Sequence, residues 1–272
     1  MKRIAEYLRV RGRTVRLSQW KSGATPGCDD KQKAAERLAK NLERIDELQY
    51  RLYAEARRSL LIVLQGMDTS GKDGVIRKAM TVFNPQGCKV WSFKVPTPDE
   101  AAHGFLWRVQ RATPASGEVA IFNRSHYEDV LVVRVHGLVP RKVWSARYEV
   151  INDFERNLHR NGAQVLKFFL HISRKEQRER LLARLEAPLK RWKFSDADLV
   201  ERGHWSSYQR AYEAALGQCN TKYARWYVIP ADRKWYRDLA VSEIVAGALE
   251  KMDPRVPKAK LDVKRLRSRL RG

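Results

Sequence analysis

A chain of 272 residues, 43 % of them hydrophobic, can bury one large α/β core or two small ones. No apolar run approaches the ~20 residues of a membrane span, and the basic start Met1-Lys2-Arg3-Ile4-Ala5-Glu6 leads into no apolar stretch of signal-peptide length, so a cytoplasmic protein with no membrane partner is expected. The formal charge of +23 is more than the ~2–8 charges that suffice for solubility, and it implies an anionic partner: nucleic acid, an anionic membrane or a polyanionic substrate.

Along the chain, residues 9–17 alternate loosely and suggest an extended segment, and residues 23–30 read as a loop. Residues 31–58 follow a helical pattern, with Leu38, Leu42, Ile45, Leu48, Leu52 and Ala56 recurring at spacings of three and four. Five short apolar runs come next, at 60–64, 90–95, 118–122, 165–172 and 226–230, the style of strands buried in a parallel sheet. Helical stretches separate them at 74–83, 98–110, 140–160, 174–185 and 205–220, and a last one at 235–252 closes the domain. Strands alternating with helices predict an α/β fold with a parallel sheet covered on both faces. The chain then divides into an N-terminal extension (1–30), the main domain (31–254) and a basic, loosely held tail (255–272) with Asp262 as its one acid. Cys28, Cys88 and Cys219 fit no zinc or redox spacing.

Between the first run and the next helix lies Gly66-Met67-Asp68-Thr69-Ser70-Gly71-Lys72-Asp73, which fits G-x-x-x-x-G-K. The glycines let the backbone curl around an anion, the following helix adds its N-terminal partial charge, and Lys72 reaches the terminal phosphates. The position that holds Ser or Thr in the common motif, where it binds Mg²⁺, is Asp73 here. Asp68 supplies a hard oxygen ligand inside the loop, where an acid is tolerable if a cation sits between it and phosphate.

The third run leads into Asn123-Arg124-Ser125-His126-Tyr127-Glu128-Asp129, placed by topology opposite the phosphate loop. Arg124 can neutralise phosphate and Asp129 can bind Mg²⁺, unless the two form a structural ion pair. Glu128 suits an acceptor nucleotide or its metal, and His126 reads as a hydrogen-bonding structural residue. Further on, Arg180 and Arg184 share a helix face, and Lys190, Arg191 and Lys193 follow Pro188. Residues 186–205 are the expected lid, its cations closing on phosphates and excluding water.

These motifs in order, with Lys190-Arg191-Trp192-Lys193-Phe194 and Trp226-Tyr227-Val228-Ile229-Pro230-Ala231-Asp232, resemble the polyphosphate kinase 2 family over residues 31–254. The resemblance implies a three-layer, thymidylate-kinase-like P-loop fold with a helical lid. It implies Mg²⁺-dependent transfer between inorganic polyphosphate and a nucleotide, with Mn²⁺ an alternative metal. Asp68 and Asp129 would be the catalytic and metal-binding acids, and Lys72 and Arg124 would hold the transferring phosphoryl group. Gly66, Thr69, Ser70, Gly71 and Asp73 would complete the phosphate cradle. Arg180, Arg184, Lys190, Arg191 and Lys193 would line the polyphosphate path. Asn123 with Glu128 resembles the subgroup acting on both AMP and ADP, with guanine nucleotides as further acceptors, and Lys94, Pro96 and Thr97 would lie near the nucleotide. A homo-oligomer, dimer or tetramer, is implied. Two rivals stand beside this reading: an ATP-dependent nucleotide kinase of the same fold, and a basic nucleic-acid-binding protein with a degenerate P-loop.

Overall fold

The structure is a computed structural model and describes residues 3–271. Helix α1 (Ile4–Leu8) opens the chain, and α2 (Lys31–Glu55) follows, its N-terminus capped by Asp30, whose carboxylate accepts from the amides of Gln32 and Lys33. β1 (Ser59–Gln65) is buried along its whole length. Then come α3 (Lys72–Ala79), β2 (Cys88–Ser92), the short α4 (Pro98–Ala101) and α5 (Trp107–Gln110), and β3 (Val119–Asn123). The second half contains α6 (Glu128–Val135), α7 (Arg141–Arg160), β4 (Ala163–His171) and α8 (Arg174–Glu186). A 3₁₀ turn over Pro188–Lys193 and α9 (Asp196–Gly203) form the lid region, before α10 (Trp205–Gln218), β5 (Trp226–Pro230), α11 (Lys234–Met252) and α12 (Val263–Arg271).

The five strands are all parallel, in the order β2-β3-β1-β4-β5. Helices α1, α2, α3 and α11 pack together as one layer, and α6, α7 and α10 as the other, giving the expected three-layer P-loop arrangement. β1 is central, so the loops leaving β1 and β3 meet where the strand order reverses, the place an open α/β sheet binds ligands. Among the described residues no helix is long and apolar enough to cross a membrane.

The structure differs from the sequence reading at three places. The segment read as an extension packs into the core through Ile4, Leu8, Val10 and Leu17, and its strand pairing is one antiparallel bridge, Arg9 to Tyr227. β2 is an edge strand with mostly exposed side chains, not one buried on both faces. The helix read over 98–110 is two short ones, because Gly104 between them favours a break. The tail carries α12, none of whose residues is buried.

Candidate active site

The loop leaving β1 turns on two glycines. A Cβ at Gly66 would meet the Leu170 carbonyl oxygen at 2.7 Å, and one at Gly71 (φ 100°) would lie 1.9 Å from Arg237 Nη1. Thr69, the loop's non-glycine residue with positive φ, stands at 62°. Lys72 begins α3 and folds back, its Nζ donating to the carbonyls of Gly66 (2.8 Å) and Met67 (3.4 Å). Among the described residues, Thr69 Oγ1 and Ser70 Oγ are buried without a hydrogen-bond partner, in a structure where such groups are nearly always paired.

The loop leaving β3 answers it. Arg124, itself at φ 62°, donates from Nη2 to Asp68 Oδ1 at 3.1 Å. Asn123 Nδ2 donates to Asp73 Oδ1 (2.8 Å), and Lys193 Nζ from the lid lies 3.5 Å from Asp73 Oδ2. Asp73 in the Ser/Thr position therefore joins the β3 loop and the lid to the start of α3. Burial works to raise the Asp73 carboxyl, but the Asn123 bond and Lys193 hold it below its usual range.

Burial, then the neighbouring Arg124, lowers the Lys72 ammonium, against the pull of Asp68, Glu128 and Asp73. Burial raises the Glu128 carboxyl, with Arg124, Lys72 and Gln65 opposing. Lys72, Arg124, Asp68 and Glu128 thus form one electrostatic unit at the mouth of β1 and β3.

Asp129 belongs to a different unit. It does not pair with Arg124, as one reading of the motif had it. Arg147 of α7 donates from Nη1 to its carboxylate (3.1 Å) and its backbone oxygen (3.0 Å). The reason is local: Glu128 and Asp129 open α6, a helix the sequence reading did not expect, and neighbours on a helix point in different directions. Burial pushes the Asp129 carboxyl up to about 6, against Arg147 and Arg108. The folded protein thus keeps a proton there that an unfolded aspartate has lost above its ordinary 3.8, so this group's contribution to stability falls as pH rises across that window. In metal-free protein, Asp129→Asn is expected to gain melting temperature relative to the parent between about pH 4 and pH 7. A difference that does not change with pH would contradict this.

The five cations expected along the polyphosphate path divide. Arg180 does not line an open path, contrary to expectation, because all five of its N–H groups are engaged. Nε donates to Glu176 (2.7 Å), Nη1 to the carbonyls of Thr69 (2.9 Å) and Ser70 (3.0 Å), and Nη2 to those of Ala231 (2.5 Å) and Asp232 (3.1 Å). It braces the phosphate loop from behind, as does Gln177, which donates to the Asp68 carbonyl (3.2 Å). Arg184 stays within the lid region, donating to the Lys193 carbonyl (3.2 Å) and pairing with Asp198 (3.5 Å). Arg191 donates from Nε to Leu185 O (2.7 Å), and Lys190 is exposed.

On the acceptor side, Lys94, Pro96 and Thr97 form an exposed segment after β2. The Thr97 hydroxyl accepts from the Glu100 amide (3.2 Å) as the cap of α4, so part of its hydrogen-bonding capacity is already used. Arg108, which the sequence reading missed, donates to the Lys94 carbonyl (2.8 Å) and lies over the Phe93 ring. Arg147 and Arg237 were also missed. None of the three sits in a motif, and only the packing of α5, α7 and α11 brings them here.

His126 is structural, as read. Its Nε2 lies 3.3 Å from Glu155 in a buried network with Tyr127 and Lys167.

The donor set suits Mg²⁺. Among the described residues no group of three or more His, Cys, Asp or Glu side chains forms a closed cage. Mg²⁺ commonly uses one or two carboxylates and completes its shell with water and substrate phosphates. Asp68 is such a carboxylate, partly exposed at the crevice.

Residues 28–257 match the family model described as Polyphosphate kinase 2. The AMP/ADP-polyphosphate phosphotransferase of Meiothermus ruber is 53 % identical over 84 % of this chain and 85 % of its own. The ADP-polyphosphate phosphotransferase of Rhodopseudomonas palustris is 43 % identical over 90 % of this chain and 89 % of its own. The crystal structure of polyphosphate kinase 2 from Arthrobacter aurescens TC1 superposes with a TM-score of 0.95 at 41 % identity, covering 99 % of this chain and 96 % of that one.

Proposed function

The chain belongs to the polyphosphate kinase 2 family, and we propose that it transfers phosphoryl groups between inorganic polyphosphate and nucleotides, making ADP from AMP and ATP from ADP. The observation that carries this reading is the unit of Lys72, Arg124, Asp68 and Glu128 at the mouth of β1 and β3, beside a lid whose Lys193 reaches Asp73. Phosphoryl transfer through a loose transition state leaves little covalent work, so positioning and charge neutralisation dominate.

Each residue then has a task. The backbone of residues 66–71 and the unpartnered hydroxyls of Thr69 and Ser70 receive the donor phosphates. Lys72 leaves the Gly66 carbonyl for the transferring phosphoryl group, and Arg124 neutralises its other side. Lys190, Arg191 and Lys193 meet the rest of the polyphosphate, while Arg180 and Arg184 hold the loop and the lid in shape. Asp68 would hold Mg²⁺, with Mn²⁺ an alternative, and Asp129 would join it were Arg147 displaced; the metal would screen the charge on the phosphates. Glu128, Asn123, Lys94, Pro96 and Thr97 lie on the acceptor side, with Arg108 beside them. A cytoplasmic location and a homo-oligomer are part of the proposal. The latter is supported by the exposed Tyr53, Val90 and Trp91 around the open β2 edge of the sheet.

The acceptor assignment is tested by supplying AMP, ADP, GMP and GDP separately with polyphosphate and Mg²⁺. Turnover of both AMP and ADP is expected. Activity on ADP with none on AMP would remove the dual-acceptor assignment.

A further inference from the structure

The crevice uses only a few of the chain's basic residues. At the other end of the sheet a cavity of about 550 Å³ opens between the start of β4, the segment before β5 and the last turn of α11. Ala163 at the start of β4 pairs with Ser59, and the phosphate loop leaves β1 after Gln65, so at ~3.3 Å per residue this end of β4 lies on the order of 20 Å from that loop. Its lining includes Arg9, Lys222, Arg225 and Lys251, together with Arg3 and Arg58. Its one acid, Glu243, is already committed: Oε1 accepts from the Ile4 amide (3.2 Å) and Oε2 pairs with Arg37. Burial raises the Tyr227 phenol while Arg9 and Arg225 pull it down, so both guanidinium groups bear on the same wall.

The tail supplies a second, independent observation. Lys251 and Met252 line the cavity, and the chain runs from there directly into residues 255–272. That stretch holds eight Lys and Arg against the single Asp262, and it lies almost wholly beyond the family match, which ends at residue 257. The tail has no aromatic residue on which a base could stack, and in the cavity Tyr223 is already stacked on His159 and Tyr227 packs on Phe168, which favours a polyanion without bases over nucleic acid.

We infer that the cavity and the tail together form a second polyanion-binding surface, which holds a remote stretch of the polyphosphate chain whose end is in the catalytic crevice. This rests on the polyphosphate donor proposed above. Holding the remote stretch raises the effective concentration of the chain end at the lid without adding any contact to the transition state. It therefore acts on KM and only for chains long enough to reach both surfaces.

The test compares the full chain with a truncation ending at Pro254 and with a Lys222→Glu/Arg225→Glu variant. AMP phosphorylation is followed with long-chain polyphosphate and with a short linear polyphosphate that cannot span the two surfaces. In both variants KM for the long chain is expected to rise about tenfold, with KM for the short chain and kcat unchanged. Equal changes with both donors, or none with either, would overturn the inference. So would loss of single-stranded RNA binding on truncation while KM for long polyphosphate stays put, since the partner would then be nucleic acid. A parent protein inert with both polyphosphates would instead overturn the donor assignment, and the inference with it.

Discussion

Replacing Lys72 with alanine is expected to lower kcat by at least about 10³-fold while leaving the fold intact. Lys72 Nζ is buried and held on the Gly66 and Met67 carbonyls, and Arg124 and Asp68 stand close enough to shift its proton affinity. An ammonium kept there, short of bulk water, is poised to exchange two carbonyl contacts for the charge that grows on the transferring phosphoryl group. Water admitted by the alanine can satisfy those carbonyls, but it cannot supply the positive charge. Initial rates at saturating polyphosphate and AMP, with a melting curve for each protein, check the prediction. A kcat within tenfold of the parent at unchanged melting temperature would mean that Lys72 is not at the reacting centre.

The largest stability effect is expected far from any substrate. Lys167 projects from the middle of β4 with no solvent exposure, and its Nζ donates to Glu155 (2.6 Å), the Cys219 carbonyl (2.7 Å) and Tyr127 Oη (2.8 Å). Glu155 in turn accepts from Tyr127 (2.7 Å) and faces His126. Lys167→Met leaves the Glu155 carboxylate buried without its cation, which costs roughly 3–5 kcal/mol. For a domain of this size that is a fall in melting temperature on the order of 10 °C. Lys167→Met combined with Glu155→Leu removes both charges and is expected to recover much of the loss. Should the single variant melt within about 2 °C of the parent, the network is not the anchor described here. The anchor matters to chemistry because His126 and Tyr127 lie between Arg124 and Glu128, so the buried ion pair fixes the backbone that carries both.

The phosphate loop was legible because backbone geometry dictates it. Gly66 and Gly71 are where a side chain would collide, and Lys72 must open the helix. The strands were legible because a buried parallel sheet demands apolar runs, unbroken over Leu60–Leu64 of β1 and broken in the middle of β4 only by the paired Lys167. Residues 130–133, Val-Leu-Val-Val, show the limit: so apolar a stretch has no helical period, yet it lies in α6 because β3 must cross back over the sheet. Choice of ion-pair partner was not legible either. Asp129 had Arg124 five residues away in sequence, but packing of α6 on α7 gave it Arg147. Arg180 was expected along the polyphosphate path because spacing reports which helix face a residue shares, not whether that face meets solvent or the underside of a loop.

Asp73 remains the residue that best separates a polyphosphate donor from ATP. It stands where a Mg²⁺-binding hydroxyl is usual, and its carboxylate is occupied by Asn123 and the lid's Lys193. The most direct measurement supplies AMP and Mg²⁺ with either polyphosphate or ATP as the sole phosphoryl donor and follows ADP formation, correcting the ATP arm for the donor's own ADP by using isotopically labelled AMP. Labelled ADP appearing with polyphosphate and at a far lower rate with ATP is the predicted result; labelled ADP appearing with ATP alone would contradict it.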